Sequence, residues 1–200
     1  MRILVVGGTG TIGRAVVAAL QNGHDVLTAG RTSGELRVDI TSAESIRQLY
    51  QHTGKVDAVI SCAGGAAFGP LETLSDADFQ LSLSNKLMGQ VNLVRIGLPF
   101  ISDAGAVVLS SGVLSQEPMP GGAAISLVNS ALEGFTRAAA LEMPRRIRIN
   151  VVSPPWVKET MQAMGMDSTG GLPAATVAKA YVDGIQNGAQ GTVIDARRYA

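Results

Sequence analysis

Short apolar runs rich in β-branched residues recur along the chain, and between them the apolar positions fall three or four apart. The runs Arg2–Val6, Asp25–Ala29, Leu36–Val38, Asp57–Ser61, Ala106–Ser110, Arg148–Val152 and Thr192–Asp195 read as strands. The helical period predicts helices near Gly13–Gln21, Ala43–His52, Ser75–Phe100, Gly122–Glu142 and Ala174–Gln186. Start signals agree with two of them: Thr41/Ser42 precedes Glu44, and Ser75 precedes Asp78, each pair offering a capping hydroxyl and an early acid. Pro99 and Pro144 stand where long helices should end. Strand and helix alternate throughout, as in βαβ units, which predicts a doubly wound α/β sheet of parallel strands with helices on both faces. Ligands of such sheets bind beyond the carboxyl ends of the strands. The positions to watch are therefore Gly7–Gly13, Gly30–Ser33, Cys62–Gly65, Ser111–Gly112 and Ser153–Val157.

Composition narrows the picture. No linker or low-complexity tract divides residues 1–200, so one domain is expected, with Gly165–Pro173 as a mobile loop. Lysine plus arginine and aspartate plus glutamate both number 16, and this balance offers no footprint for nucleic acid or an anionic membrane. Charged residues make up 16%, below the roughly 25% of ordinary domains, which implies strands buried on both faces and a subunit interface. The single cysteine, Cys62, precludes an intrachain disulfide, and the isolated His24 and His52 have no metal-ligand spacing. Met1-Arg2 leads directly into the first strand, with no signal-peptide core and no membrane-length apolar run anywhere. A cytoplasmic protein acting on a small molecule, without metal, is the expectation.

The sharpest motif is Gly7-Gly8-Thr9-Gly10-Thr11-Ile12-Gly13, between the first strand and the first helix. Gly7 permits a tight turn, Gly10 lets backbone approach a pyrophosphate, and Gly13 lets helix and strand pack closely; the helix N-terminus presents free N–H groups to the anion. This context, rather than the glycines alone, predicts a Rossmann dinucleotide site. An NAD-specific site places an acid at the end of the second strand, about 20 residues on. Here that place holds Gly30-Arg31-Thr32-Ser33, with no carboxylate. Arg31, Thr32 and Ser33 suit a ribose 2′-phosphate, so NADP(H) is expected; the alternative is a solvated surface arginine.

At this point the chain resembles the short-chain dehydrogenase/reductase family over its whole length. The glycine turn resembles the family's G-x-x-G-x-x-G spacing, and Val38-Asp39-Ile40 resembles its acidic position after the third strand, which implies Asp39 near the adenine. Cys62-Ala63-Gly64-Gly65 resembles its Asn-Ala-Gly motif with the asparagine replaced. Asn85-Lys86-Leu87-Met88-Gly89 resembles the segment whose asparagine kinks the fourth helix and holds a water of the proton relay. Ile149–Pro154 resembles the sixth strand, whose following Pro-Gly covers the nicotinamide; here Pro155 replaces the glycine. The cofactor set implied is Gly7, Thr9, Gly10, Thr11, Ile12, Gly13, Arg31, Thr32, Ser33, Asp39, Ile40, Cys62, Ala63, Gly64, Pro154 and Val157. The resemblance also implies a homodimer or homotetramer, with the small-residue helix at Gly122–Glu142 and the helix at Ser75–Phe100 forming the interface.

The family's chemistry resides in Ser, Tyr and Lys, the last two four apart on one helix. Ser111 matches the serine, with Ser110 as the close alternative, but the aligned helix carries Ile125 at the tyrosine position and Asn129 at the lysine position. The three tyrosines, Tyr50, Tyr181 and Tyr199, lie elsewhere. Isoleucine has no proton for a nascent alkoxide, and asparagine has no charge with which to tune a donor. Ser111, Asn85 and Asn129 remain the catalytic candidates, each open to a bland reading as a loop cap, a surface polar residue or a satisfied buried amide. Lys86 should point about 100° away from Asn85 around the helix and sit in solvent. Cys62 is expected to be inert, and Trp156 with Met161, Met164 and Met166 is a candidate apolar lid. Three functions stay open: an NADPH-dependent oxidoreductase with another proton donor, a non-redox isomerase, lyase or cyclase, and an NADPH-sensing binding protein.

Overall fold

The computed structural model describes residues 1–187 and 190–200. Seven strands form one sheet, every neighbouring pair parallel, in the order β3-β2-β1-β4-β5-β6-β7. They are β1 Arg2–Val6, β2 Asp25–Gly30, β3 Leu36–Arg37, β4 Val56–Ser61, β5 Ile101–Ser110, β6 Arg148–Ser153 and β7 Val193–Asp195. The helices are α1 Thr11–Leu20, α2 Ala43–Thr53, α3 Asp76–Ser82, α4 Gly89–Gly97, α5 Ala123–Ala139, α6 Lys158–Ala163 and α7 Ala174–Gln186. This is the expected doubly wound Rossmann fold, its strand order reversing between β1 and β4.

The two-residue period of the strands divides the core. Leu4 and Val6 of β1 join one cluster with Ile46, Leu49 and Tyr50 of α2, Leu93 and Val94 of α4 and Leu132 of α5. Ile3 and Val5 face the other way, onto Val16 and Leu20 of α1 and Val177, Ala178, Tyr181 and Ile185 of α7. Ile3, Leu4 and Val5 are wholly buried, so the low charge content reflects a strand covered on both sides. Each such side chain contributes about 1.5–3 kcal/mol by leaving water.

Several boundaries depart from expectation. β5 begins at Ile101 rather than Ala106, because its polar start bends through Ala104, at φ 58°, and shifts register against β4. The helix expected over Ser75–Phe100 changes winding three times: α3, a π-wound segment at Leu83–Met88, α4, and one 3₁₀ turn at Leu98–Phe100. Its start is as read, with Ser75 Oγ accepting from Asp78 N and Ser75 N donating to the Asp78 carboxylate. α6 was not anticipated, and the Gly165–Pro173 stretch ends by pairing Leu172 with Val157.

Two helical glycines show opposite packing. A Cβ on Gly97 of α4 would strike the ring of Tyr50, which is fully buried, stacked on Phe100 at 5.5 Å and tied by its hydroxyl to Leu93 O at 2.7 Å. The ring has nowhere to move. A Cβ on Gly134 of α5 would meet nothing within 4 Å. Gly97→Ala should therefore lower stability by about 1–3 kcal/mol, whereas Gly134→Ala should raise it by about 0.5–1 kcal/mol through helix propensity. Urea midpoints of the two variants, read by circular dichroism, check the opposite signs.

Candidate active site

Two of the cavities at the carboxyl ends of the strands flank the glycine turn. The larger, about 470 Å³, is lined by Gly7, Thr9, Gly10, Gly30, Arg31, Thr32, Ser33, Val38, Asp39, Ile40, Cys62, Ala63, Gly64, Gly65, Leu81 and Asn85, with Val6 at its base. The turn that shapes it depends on missing side chains. Gly7 has φ +81°, and a Cβ there would lie 2.8 Å from the Cys62 carbonyl; a Cβ on Gly13 would overlap the Gly7 backbone. Gly10 caps α1 without a side-chain bond, and no acid stands in the first turn, so the leading N–H groups face the cleft uncompensated. Thr9 and Ser33 hydroxyls lie 2.7 Å apart across the rim, and among the described residues nothing hydrogen-bonds the exposed Arg31 guanidinium. Asp39 accepts from Thr41 N at 2.9 Å and Thr41 Oγ1 at 2.7 Å, and these bonds hold its carboxyl below the usual range. Glycine turn, uncapped helix end and free arginine fit a dinucleotide phosphate chain with a further phosphate.

The second cavity, about 280 Å³, is mostly apolar: Ile12, Val113, Leu114, Ile125, Pro154, Pro155, Trp156 and Val157, with Gly112, Lys86, Ser111, Asn129 and Thr160. The expected cofactor residues thus divide, Ile12, Pro154 and Val157 lying here rather than in the glycine cleft; Thr11 opens α1 and Gly13 is buried behind it. Ile12 follows the glycine turn, and Lys86 follows Asn85, so the two cavities share a wall.

The candidates do not all aim where expected. Asn85 lines the glycine cleft, its Oδ1 accepting from Gly65 N at 2.8 Å and tying the helix to the turn after β4. Ser111 lines the apolar cavity, yet its hydroxyl donates to Glu133 Oε1 at 3.1 Å and Val152 O at 3.3 Å. Ser110, the alternative, turns to the other face of the sheet, against Ser61 O and the Tyr181 hydroxyl. Asn129 is 1% exposed; its Nδ2 donates to Gly112 O at 3.4 Å, and its Oδ1 has no partner among the described residues. Ile125 stands one turn before it, on the same wall. None of the three tyrosines lines either cavity. Of the candidate lid, Trp156 is in place, edge-on to Phe68, while Met164 and Met166 face solvent.

Lys86 overturns the reading of a solvated side chain. It is 8% exposed, and its ammonium lies 3.3 Å from Ser110 O and 3.4 Å from Ser111 O. A 100° step from Asn85 does not by itself turn a side chain to solvent. Buried positions along the helix are Ser82, Lys86, Gly89, Gln90, Val91, Leu93, Val94 and Gly97, several of them small or polar, so Lys86 lies on a buried face that apolar periodicity does not mark. The segment is π-wound, with Gly89 N bonded to Ser84 O, and the adjacent Asn85 and Lys86 line different cavities. Burial lowers the Lys86 ammonium to about 8. Glu133, also missed, is 4% exposed and receives Ser111, Ser115 and Gln116.

A family described as enoyl-(acyl carrier protein) reductase matches residues 12–190. Hydroxynaphthalene reductase arp2 of Aspergillus fumigatus is 29% identical over 182 residues, covering 79% of this chain and 67% of that protein. The chain spans 54–67% of the length of the first curated relatives that it matches. Among solved structures, lin1944 of Listeria innocua superposes with TM-score 0.94 at 38% identity, covering 98% of each chain. A small-chain dehydrogenase in complex with NADPH superposes with TM-score 0.86 at 27% identity, covering 98% of this chain and 95% of that one. Among the described residues no helix is long and apolar enough to cross a membrane, and no cluster of ligating side chains could hold a metal.

Cys62 sits in the turn after β4, and burial pushes its thiol up to about 12, with the nearby Lys86 charge only partly offsetting it. Since the thiolate is the reactive form, folded protein at pH 8 should react with a disulfide reagent more than about a hundredfold slower than free cysteine. Full reactivity should return in denaturant. Absorbance of the released thiol measures both rates.

Proposed function

The chain belongs to the short-chain dehydrogenase/reductase family, and on that premise we propose that it is an NADPH-dependent reductase of a small, largely apolar carbonyl compound. One observation carries this reading: a phosphate-binding glycine cleft and an apolar cavity lie side by side, sharing the wall made by Ile12 and the Asn85–Lys86 pair. The cofactor, when bound, supplies a hydride. Binding and orientation fall to the chain. Gly7, Thr9, Gly10 and Thr11 would hold the pyrophosphate, with Gly13 packing α1 against the turn; Asp39, Ile40 and the Cys62–Gly64 backbone would hold the adenosine half, and Ile12, Pro154 and Val157 the nicotinamide end. Asn129 offers a buried, unpaired Oδ1 to a hydroxyl or amide.

Selectivity for the 2′-phosphate rests on Arg31, Thr32 and Ser33. No acid closes β2, and Glu35, the nearest in sequence, accepts from Thr28 instead. The apolar lining of the second cavity excludes water and favours a hydrocarbon-like substrate. With Ile125 and Asn129 on its wall, the proton does not come from a phenol on α5. The redox reading ranks above the isomerase and sensor readings because an apolar chamber adjoins the nicotinamide end. We also propose a homo-oligomer, whose contacts would cover the exposed Leu81, Met88 and Leu127. Light scattering at micromolar concentration tests that, and a monomeric mass would refute it.

Single-turnover mixing with NADPH and a panel of small ketones and aldehydes, followed at the nicotinamide absorbance, tests the reaction; silence across the panel would sink it. For the cofactor, Arg31→Ala should weaken NADPH by about 1.5–3 kcal/mol, the scale of a charged hydrogen bond. NADH should bind both proteins alike. Calorimetry showing equal losses for the two nucleotides would remove the 2′-phosphate assignment.

A further inference from the structure

Lys86 stands in the wall between the two cavities, and no part of the fold needs its charge. The carbonyl of Ser110, which it approaches at 3.3 Å, already receives Gln90 Nε2 at 2.9 Å. The Ser110 amide in turn donates to Gln90 Oε1 at 2.8 Å, so the end of β5 is tied down without the lysine. No carboxylate of the described residues pairs with the ammonium. A buried cation resting on neutral dipoles alone destabilises a fold, and a methionine would fill the same space without that cost. Two carbonyls occupy two of its three N–H groups, and the third has no described partner. Elsewhere in the lining of the apolar cavity, the buried Asn129 Oδ1 has no partner among the described residues. An unspent donor and an unspent acceptor in an apolar chamber mark the place of a polar group on a ligand.

We propose that Lys86 is the catalytic acid: its ammonium hydrogen-bonds the carbonyl oxygen of the substrate and delivers a proton to it during reduction. This rests on the reductase reading above. The carbonyl carbon gains hydrogen with its electron pair from the dihydronicotinamide, the C=O π pair moves onto oxygen, and oxygen takes the proton from Nζ. The carbonyl is reduced to an alcohol, the dihydronicotinamide is oxidised, and Lys86 is left as a neutral amine that recovers a proton from solvent. Lys86 would thus replace a phenol from a different helix. The groups facing it suit the task. The Cys62 thiol, from the turn after β4, is held neutral by burial, and Asn129 of α5 carries no charge. Glu133, one turn further on α5, is engaged by Ser111, Ser115 and Gln116. With its pKa drawn down to about 8, the ammonium is still mostly protonated at neutral pH, yet gives up its proton more readily than a solvated lysine.

The chain has four lysines, and Lys55, Lys158 and Lys179 are exposed, so ¹⁵N-lysine spectra resolve the question directly. One Nζ should titrate near 8, vanish in Lys86→Met, and shift when isobutyrate, a small apolar carboxylate, is added to protein saturated with NADP⁺. Turnover with the best carbonyl of the panel should fall as pH rises through about 8, since the protonated form is the acid. Lys86→Met and Lys86→Gln should each lose about a hundredfold or more in kcat, with NADPH affinity within twofold of native by calorimetry. Gln keeps N–H donors for the two carbonyls, so restored turnover in Lys86→Gln would show a structural role and overturn the proposal. An Nζ unmoved by isobutyrate, with kcat retained in either variant, would overturn it too while leaving the reductase reading intact. Silence of the native protein towards every carbonyl would instead overturn that reading, and the proton transfer with it.

Discussion

Everything at the carboxyl edge of this sheet depends on the absence of a side chain at Gly7. Its amide donates to Ala29 O of β2 at 2.7 Å, its Cα faces the Cys62 carbonyl beyond β4, and its own carbonyl touches the start of α1 at Gly13. Three strands and one helix thus converge on a single residue at φ +81°, where any Cβ would collide with backbone. Backbone cannot step aside as a flexible side chain can. The same contact that fixes α1 against the sheet leaves its first N–H groups aimed outward. Fold and glycine cleft are consequently one construction.

A second theme is a belt of buried polar groups running beside the apolar core. Gln90 clamps Ser110, Lys86 rests on the two carbonyls at the end of β5, Ser111 reaches Glu133, and Ser110 reaches Tyr181 across the sheet. Ser110 and Ser111 point to opposite faces because strand side chains alternate. Such networks stiffen a site when each member is partnered. Here most are; among the described residues the Ser61, Ser126 and Thr136 hydroxyls and Asn129 Oδ1 lack partners, and of these Asn129 lines the apolar cavity.

The frame was legible because it obeys periodicity. Alternating strands and helices fixed the sheet, the glycines placed the first turn, and the Ser75 cap marked the start of α3. What escaped the sequence obeys other physics. β5 hid its first residues behind polar side chains and a left-handed alanine. α6 is too short for a periodic signal. A π segment changes phase without any compositional mark, and Lys86 lies on a buried face whose neighbours are partly small or polar. Ser111 was chosen by position after its strand, whereas its hydroxyl direction is set by Glu133, one of few buried carboxylates and far away in sequence.

The π-wound segment between α3 and α4 has a consequence for how this protein can change over time. Because Asn85 and Lys86 are adjacent yet serve different chambers, one extra residue of winding acts as a gear between them. Loss of that residue would let the helix relax to ordinary pitch and rotate every downstream side chain by roughly a quarter turn. Gly89 would then leave its seat against Ile40, and the glycine cleft would be disturbed together with the apolar chamber. Point substitutions can tune either chamber separately, but length changes here cannot. This helix is open to drift in side chains and closed to drift in length.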